Sequence, residues 1–383
     1  TVFRANAAFH ADETAPATSN HIVHLVPSPD QSDILTYHKA DVPEPSGPTM
    51  DLTATNIVIA TGAKPRPLPG NPFAGALIDS TQALEVNEFP SSAVIIGAGA
   101  IALEFASMWN AAGSKVTLLI RKDRVLSAWD RRAGTTLTRE LKRHGVNIIT
   151  RASVTHVDTG ANLGATVHYT REGQDGEQSV WGEIALVAIG RAPITDPAWG
   201  VTIDDHGHVA TDAYGRTDKP GDVTAGHALA HRAFEQGIVI AETIAGLNPK
   251  PVDEATVPQI VFSFPEAASV GLTVEQAQAR EDLIEIKETN YPMLANARML
   301  MSGTAGSLTI VSGCDAANPD TPRVLGVHMV SQMASDIIAE AEQLVGNHVP
   351  LADAARLVHP HPTFSETLGE ALLKADGRPL HTR

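Results

Sequence analysis

Ala93-Val94-Ile95-Ile96-Gly97-Ala98-Gly99-Ala100-Ile101-Ala102 is the stretch that decides the fold. Four apolar residues suited to a buried strand run into G-x-G-x-x-A, and a helical pattern follows through about Asn110. The first glycine of such a turn permits the tight bend and the second lets backbone approach a pyrophosphate. The small third residue, here Ala102, lets helix and strand pack closely, and the helix start offers amide donors to phosphate. Residues 115–120, KVTLLI, supply the next strand and complete a βαβ unit. Strand, glycine turn, helix and strand in this order predict a dinucleotide site carried by Gly97, Gly99 and Ala102. A Gly-rich turn in an α/β domain without a ligand is the alternative.

The end of the second strand bears on which dinucleotide. An NAD site usually places a carboxylate there for the ribose hydroxyls; this chain has Ile120, then Arg121, Lys122 and, two residues on, Arg124. Arginine can pair with a 2′-phosphate, so NADP is expected ahead of NAD. Solvated surface charges are the other reading. Glu104, on the helix after the glycines, reads as a packing or capping residue or as a residue near the nicotinamide.

Outward from this unit, 383 residues are too many for one core, so two or three domains are expected. Residues 41–48 are Pro-rich and read as a loop, residues 56–62 (NIVIATG) as a short apolar β-run, and 184–189 as a fully buried strand. Helices are expected at about 132–144, 228–245, 273–280, 332–344 and 363–374. A net charge of -16 argues against nonspecific nucleic-acid binding. No apolar run reaches 18 residues and no secretion signal is seen, so no membrane span is expected and a reducing cytoplasm fits. Cys314 is the single cysteine, which excludes an intrachain disulfide and a Cys-rich metal centre; no metal site is expected. A lone cysteine beside a strand reads as a small core residue.

Further segments occur in a telling order: ATGAKP at 60–65, GAGAIALEFASMW at 97–109, GRAP at 190–193, residues 217–237, VPQIVFSFPEAASVGLT at 257–273 and HPHPTFSE at 359–366. The ordered set resembles the pyridine nucleotide–disulfide oxidoreductases, particularly dihydrolipoamide dehydrogenase and glutathione reductase. The resemblance implies an α/β protein with Rossmann-like FAD- and NAD(P)-binding domains and a C-terminal α+β dimerisation domain. Residues 1–85 would be the later part of a split FAD domain, 86–210 the NAD(P) domain, 211–250 the return of the FAD domain and 251–383 the dimerisation domain. Thr61, Gly62, Gly190, Arg191, Gly226, His227, Ala230 and His231 fall on segments implied to hold cofactor. The family usually has Gly-Asp where this chain has Gly226-His227, a change at the flavin's ribityl contact. A first dinucleotide fold and a C-x4-C pair, both usual before the matching part of the family, are absent from the 383 residues; a truncated sequence is expected.

His361 and Glu366 match the family's histidine–glutamate dyad, which acts at the disulfide of the other subunit. A dithiol must lose a proton before its sulfur attacks. An imidazole can take that proton, and a carboxylate on its other nitrogen fixes the tautomer. Thr363-x-x-Glu366 is equally a helix capping box. His359 matches a second family histidine without a proton role. The resemblance implies a homodimer with shared active sites, FAD and NADP or NAD as cofactors, and a small-molecule or lipoyl-domain disulfide substrate. Two alternatives stand beside it: an NAD(P)H-dependent flavin reductase serving quinones or dyes without a disulfide step, and a catalytically incomplete chain that dimerises and binds nucleotide.

Overall fold

The computed structural model describes residues 1–9, 21–37, 43–45, 47–160, 164–217 and 224–382. It forms two compact units, Thr1–Lys64 with Arg191–Val252, and Pro65–Gly190 with Asp253–Arg383.

The second unit contains the predicted βαβ element. Five strands lie in the order Asn147–Ile149, Lys115–Leu119, Ser92–Ile96, Ile184–Val187, Leu77–Ile78, every neighbouring pair parallel. Side chains alternate across these strands. Ile95 and Leu118 face the helices Ala100–Ala111 and Arg131–Arg143, packing with Leu103, Phe105, Trp109, Leu137 and Leu141. Val94, Ile96 and Leu119 face the other way, onto Val167 and Tyr169 of the strand Ala165–Arg171. That strand is the middle of an antiparallel sheet with Ala152–Asp158 and Gln178–Gly182. Burial on both faces is why these central strands read as unbroken apolar runs. Asp130 starts the Arg131–Arg143 helix by accepting the Ala133 N–H at 2.8 Å, and Lys142 and Arg143 end it where the helix dipole favours cations.

The same unit continues into an antiparallel sheet ordered Gln259–Val261, Glu266–Gly271, Asn318–Ser331, Ser307–Asp315, Leu283–Tyr291. Ile337, Ile338, Ala341 and Leu344 of the helix Ala334–Gly346 and Leu368, Ala371 and Leu372 of Glu366–Ala375 cluster with Val270, Ile310, Val327 and Met329 of this sheet. Two backbone amides fasten the sheet's start to the helix Ala100–Ala111. Glu104 Oε1 accepts the Phe262 N–H at 3.0 Å and Ser107 Oγ the Phe264 N–H at 3.2 Å.

In the first unit, Asn6–Phe9, His21–Val26 and Met50–Ala54 make one small antiparallel sheet, and Val2–Arg4, Leu35–Tyr37 and Pro43–Pro45 another. The helix Ala230–Ile244 falls where it is expected. Two expectations fail. Residues 43–45 of the proposed loop form a strand, because an edge strand tolerates residues that cannot donate to a ladder; residues 41, 42 and 46 lie outside the described residues. The apolar run at 56–62 is not a strand. Among the described residues no strand lies beside it, so its apolar run has no ladder to join. Ile59 instead packs with Trp199, Val201 and Val209, while Val58 stays half exposed.

Candidate active site

In the second unit, Gly97 has φ +142°, and a Cβ there would sit 2.2 Å from the Ala188 carbonyl oxygen and 3.4 Å from the Ala102 Cβ. Only glycine fits this conformation and spacing. Gly99 is different: it is the N-cap of Ala100–Ala111, supplies no side-chain cap, and has open space where a Cβ would be. The helix therefore begins with unsatisfied amides facing room for an anion. This geometry fits a dinucleotide pyrophosphate.

Beyond the second strand, Ile120 is buried and Arg121 and Lys122 are exposed. No hydrogen bond or ion pair is made by either cationic side chain among the described residues. Arg124 is already engaged: its guanidinium donates to the Asp123 carboxylate at 3.3 Å and the Ser127 carbonyl at 3.1 Å. Glu104 is held by the Phe262 amide, the packing role weighed for it. Gly190, at φ +119°, follows the central sheet and accepts the Arg66 N–H at 3.0 Å.

The first unit holds the other matched residues. Thr61 Oγ1 donates to the Ile194 carbonyl at 2.6 Å and Gly62 O accepts the Ile194 N–H at 2.9 Å, while Arg191 donates to the Ala63 carbonyl. The ATG and GRAP segments are thus stitched together. Gly226 takes φ +127° ahead of His227. Ala230 and His231 open a helix whose N-cap, Leu229, offers no side-chain cap. Thr224 Oγ1 is buried without a hydrogen-bond partner. An N-cap without a side-chain bond and an orphaned hydroxyl fit a polar group of a bound cofactor at this end. Residues 218–223 of the matched segment lie outside the described residues.

His361 and Glu366 meet. His361 Nδ1 lies 2.8 Å from Glu366 Oε2; the imidazole side chain is 75% exposed and the carboxylate side chain 17%. The ionised carboxylate only accepts, so Nδ1 carries the proton and the Nε2 lone pair is left for chemistry. The capping box is only half made. Thr363 Oγ1 accepts the Glu366 N–H at 3.3 Å, but the carboxylate turns to His361 and to Asn296.

Asn296 is the site residue that sequence reasoning missed. It is 3% exposed, and its Nδ2 donates to Glu366 Oε1 and to the Thr363 carbonyl, both at 3.0 Å. Its Oδ1 accepts the Met299 N–H at 3.0 Å, capping the helix Ala297–Ser302. An asparagine before ARML is readable as an N-cap; its reach across 70 residues is not. His359 is structural in its surroundings: Nε2 pairs with Glu340 Oε1 at 2.8 Å and the ring packs on Gly369, where a Cβ would come 2.4 Å from Nδ1. The Glu340 hydrogen bond raises the His359 pKa. Cys314 is fully buried, and burial pushes its thiol pKa up.

The sequence profile of the family described as pyridine nucleotide-disulphide oxidoreductase matches residues 19–237, and that of its dimerisation domain residues 257–372. The chain belongs to the pyridine nucleotide-disulphide oxidoreductases. Its membership makes it an NAD(P)-dependent, FAD-binding disulfide oxidoreductase by family, similar to dihydrolipoyl dehydrogenases. It is 37% identical to the dihydrolipoyl dehydrogenase of Cupriavidus necator over 341 residues, 86% of this chain and 70% of that protein. It is 36% identical to a dihydrolipoyl dehydrogenase of Bacillus subtilis over the same shares. Its fold resembles that of LpdA from Mycobacterium tuberculosis, with a TM-score of 0.79 and 24% identity over 97% of this chain and 76% of that one. No helix among the described residues is long and apolar enough to cross a membrane.

Proposed function

We propose that this chain serves an enzyme of the dihydrolipoyl dehydrogenase type, moving electrons between NADPH or NADH and a dithiol–disulfide substrate, with His361 as the proton carrier. The observation that carries the reading is the Asn296–Glu366–His361 chain of hydrogen bonds. Bound FAD supplies the two-electron chemistry. Asn296 holds one carboxylate oxygen, and the other fixes the His361 tautomer. Nε2 can then accept a thiol proton and return it. An imidazole so exposed is suited to work on a group from a second subunit, which agrees with a homodimer whose active sites are shared. Gly97, Gly99 and the start of Ala100–Ala111 would hold the nicotinamide cofactor's pyrophosphate, with Arg121 and Lys122 toward a 2′-phosphate. Thr61, Gly62, Gly226, His227, Ala230 and His231 would serve FAD.

The reading requires a redox-active cysteine pair outside these 383 residues, because Cys314 is the only cysteine present. A second reading, in which electrons pass to a quinone or dye without a disulfide step, would apply if the full-length product carries no such pair. The test uses the natural full-length product loaded with FAD, following NADPH and NADH oxidation with lipoamide, glutathione disulfide and a quinone. His361→Gln is expected to lower disulfide turnover about 10²- to 10⁴-fold, the usual worth of a positioned acid–base, with flavin absorbance kept. Turnover on the quinone alone, unchanged by this substitution, would leave the second reading.

A further inference from the structure

The antiparallel sheet that backs the nucleotide domain carries a histidine pair on its solvent face. His156 and His168 are direct cross-strand partners, 12 residues apart in sequence. A bulge puts them there. Pairing shifts between Val154 and His156, so Thr155 is the extra residue. Val154 and Val157 both pack inward with Val167 although they are three residues apart, which simple alternation forbids. The bulge reverses the alternation and re-aims His156 to the outer face, beside His168 and Asp158.

The two imidazoles stack with centroids 4.1 Å apart and planes 8° from parallel. Carboxylates bracket them. Asp158 Oδ2 lies 3.1 Å from His168 Nε2 and 3.9 Å from His156 Nε2. At the rear nitrogens, Glu177 carboxylate oxygens lie 3.6 Å from His168 Nδ1 and 3.8 Å from His156 Nδ1. Thr155 Oγ1 donates to Glu177 at 2.6 Å and holds that carboxylate in place.

We propose that His156, His168 and Asp158 form a binding site for a borderline divalent transition ion of the Zn(II) class, with Glu177 orienting both imidazoles from behind. One ligand atom from each of the three residues lies within 4.8 Å of the others. Metal–ligand bonds of about 2.0–2.1 Å in a tetrahedron set ligand–ligand edges near 3.3 Å. The His168–Asp158 edge is already that short; the His156–Asp158 edge has to close by about 0.6 Å, and the stacked rings have to tilt so that both Nε2 atoms aim at one ion. Two imidazoles with one carboxylate select zinc, cobalt, nickel or copper over magnesium and calcium, which want oxygen cages. Without an ion, His168 Nε2 donates to Asp158; a bound ion would displace that proton, leaving His168 Nδ1–H toward Glu177 at 3.6 Å and His156 Nδ1–H toward Thr155 Oγ1 at 3.3 Å. Solvent supplies the remaining position, since Asp158 is 65% exposed. The bound ion would staple Ala152–Asp158 to Ala165–Arg171.

The experiment is Zn(II) titration of the full chain, stripped by chelator, in competition with a chromogenic chelator. Co(II) serves as a visible-absorbing probe of coordination number. One Zn(II) per chain with a four-coordinate Co(II) spectrum is expected. His156→Ala, His168→Ala and Asp158→Asn should each abolish or strongly weaken that binding. Glu177→Gln should weaken it about 10- to 100-fold, as second-sphere changes do. These side chains are at the surface, and circular dichroism checks that each variant folds. Wild-type protein that takes up no Zn(II) at micromolar concentration would overturn the site. Equal uptake in the double variant His156→Ala/His168→Ala would do so too, since the ion would then sit on other histidines.

Discussion

Replacing Asn296 with Ala removes three hydrogen bonds from a nearly fully buried amide. The cap on the Met299 N–H is worth about 1 kcal/mol. The neutral bond to the Thr363 carbonyl contributes about 1 kcal/mol, and the bond to the Glu366 carboxylate about 1.5–3 kcal/mol. Water entering beside the partly exposed Glu366 recovers part of this, leaving roughly 3 kcal/mol of lost stability. At about 2–4 °C per kcal/mol for a unit of this size, the melting transition should fall by roughly 6–12 °C. Asn296→Asp separates the two roles. It keeps the oxygen that caps Met299 but sets a second, buried carboxylate against Glu366 and the Thr363 carbonyl, so it should cost at least as much stability and also lower turnover. The assay pairs differential scanning calorimetry of the chain with kcat and KM for disulfide reduction by the full-length product. For Asn296→Asp we expect kcat to drop about tenfold with KM nearly unchanged, the loss of one positioning bond worth about 1.4 kcal/mol. A melting point within 2 °C of wild type for Asn296→Ala, with undiminished kcat for Asn296→Asp, would refute the reasoning.

The two glycines of the nucleotide turn should separate cleanly. Gly97→Ala drives a Cβ into the Ala188 carbonyl and should lower the melting point markedly, whereas Gly99→Ala should leave it within about 2 °C and weaken NADPH binding, read by fluorescence titration. His328, buried between the Ser269 hydroxyl at 2.7 Å and the Leu272 carbonyl at 3.0 Å, has its pKa lowered by burial. Its contribution is therefore present above its unfolded pKa of about 6.5 and is lost as pH falls through the lower folded value; His328→Asn should flatten the acid limb of stability against pH. His359 has the opposite sign. Its pKa is raised by Glu340, so the pair's stabilisation is full below about pH 6.5 and fades as pH climbs through the folded value. Glu340→Gln should remove that alkaline fade in chemical denaturation at a series of pH values.

The parts legible in the sequence were those whose cause is local. Residues 93–102 announce strand, turn and helix because apolar runs and glycines act within a few residues of themselves. The helix expected at 273–280 forms with Thr273 and Gln276 closing a reciprocal cap, again a local cause. Residues 56–62 show the limit: a β-rich apolar run says a segment suits a ladder, but only a neighbouring strand makes one. Pro43–Pro45 errs the other way, since edge pairing spares a proline the donor it lacks. His361 and Glu366 were paired through the family resemblance, whereas Asn296 joins them only through tertiary folding. The His156–His168 pairing was hidden for a further reason. One inserted residue at a bulge changes which face a side chain takes, and no period-two reading shows it.

The bonds from Glu104 and Ser107 to the Phe262 and Phe264 amides bear on how the protein can be taken apart. The two matched profiles meet between residues 237 and 257, which suggests a natural cut for making a free nucleotide-binding module. The physical seam runs elsewhere. A module ending before that cut would leave the Glu104 carboxylate without its backbone donor and strip Val261, Ala267 and Val330 from the apolar cluster around Leu103 and Trp109. Grafting a cofactor preference from a relative therefore means moving the nucleotide helix together with the strand it is pinned to. The unit of inheritance in sequence is smaller here than the unit of mechanical integrity.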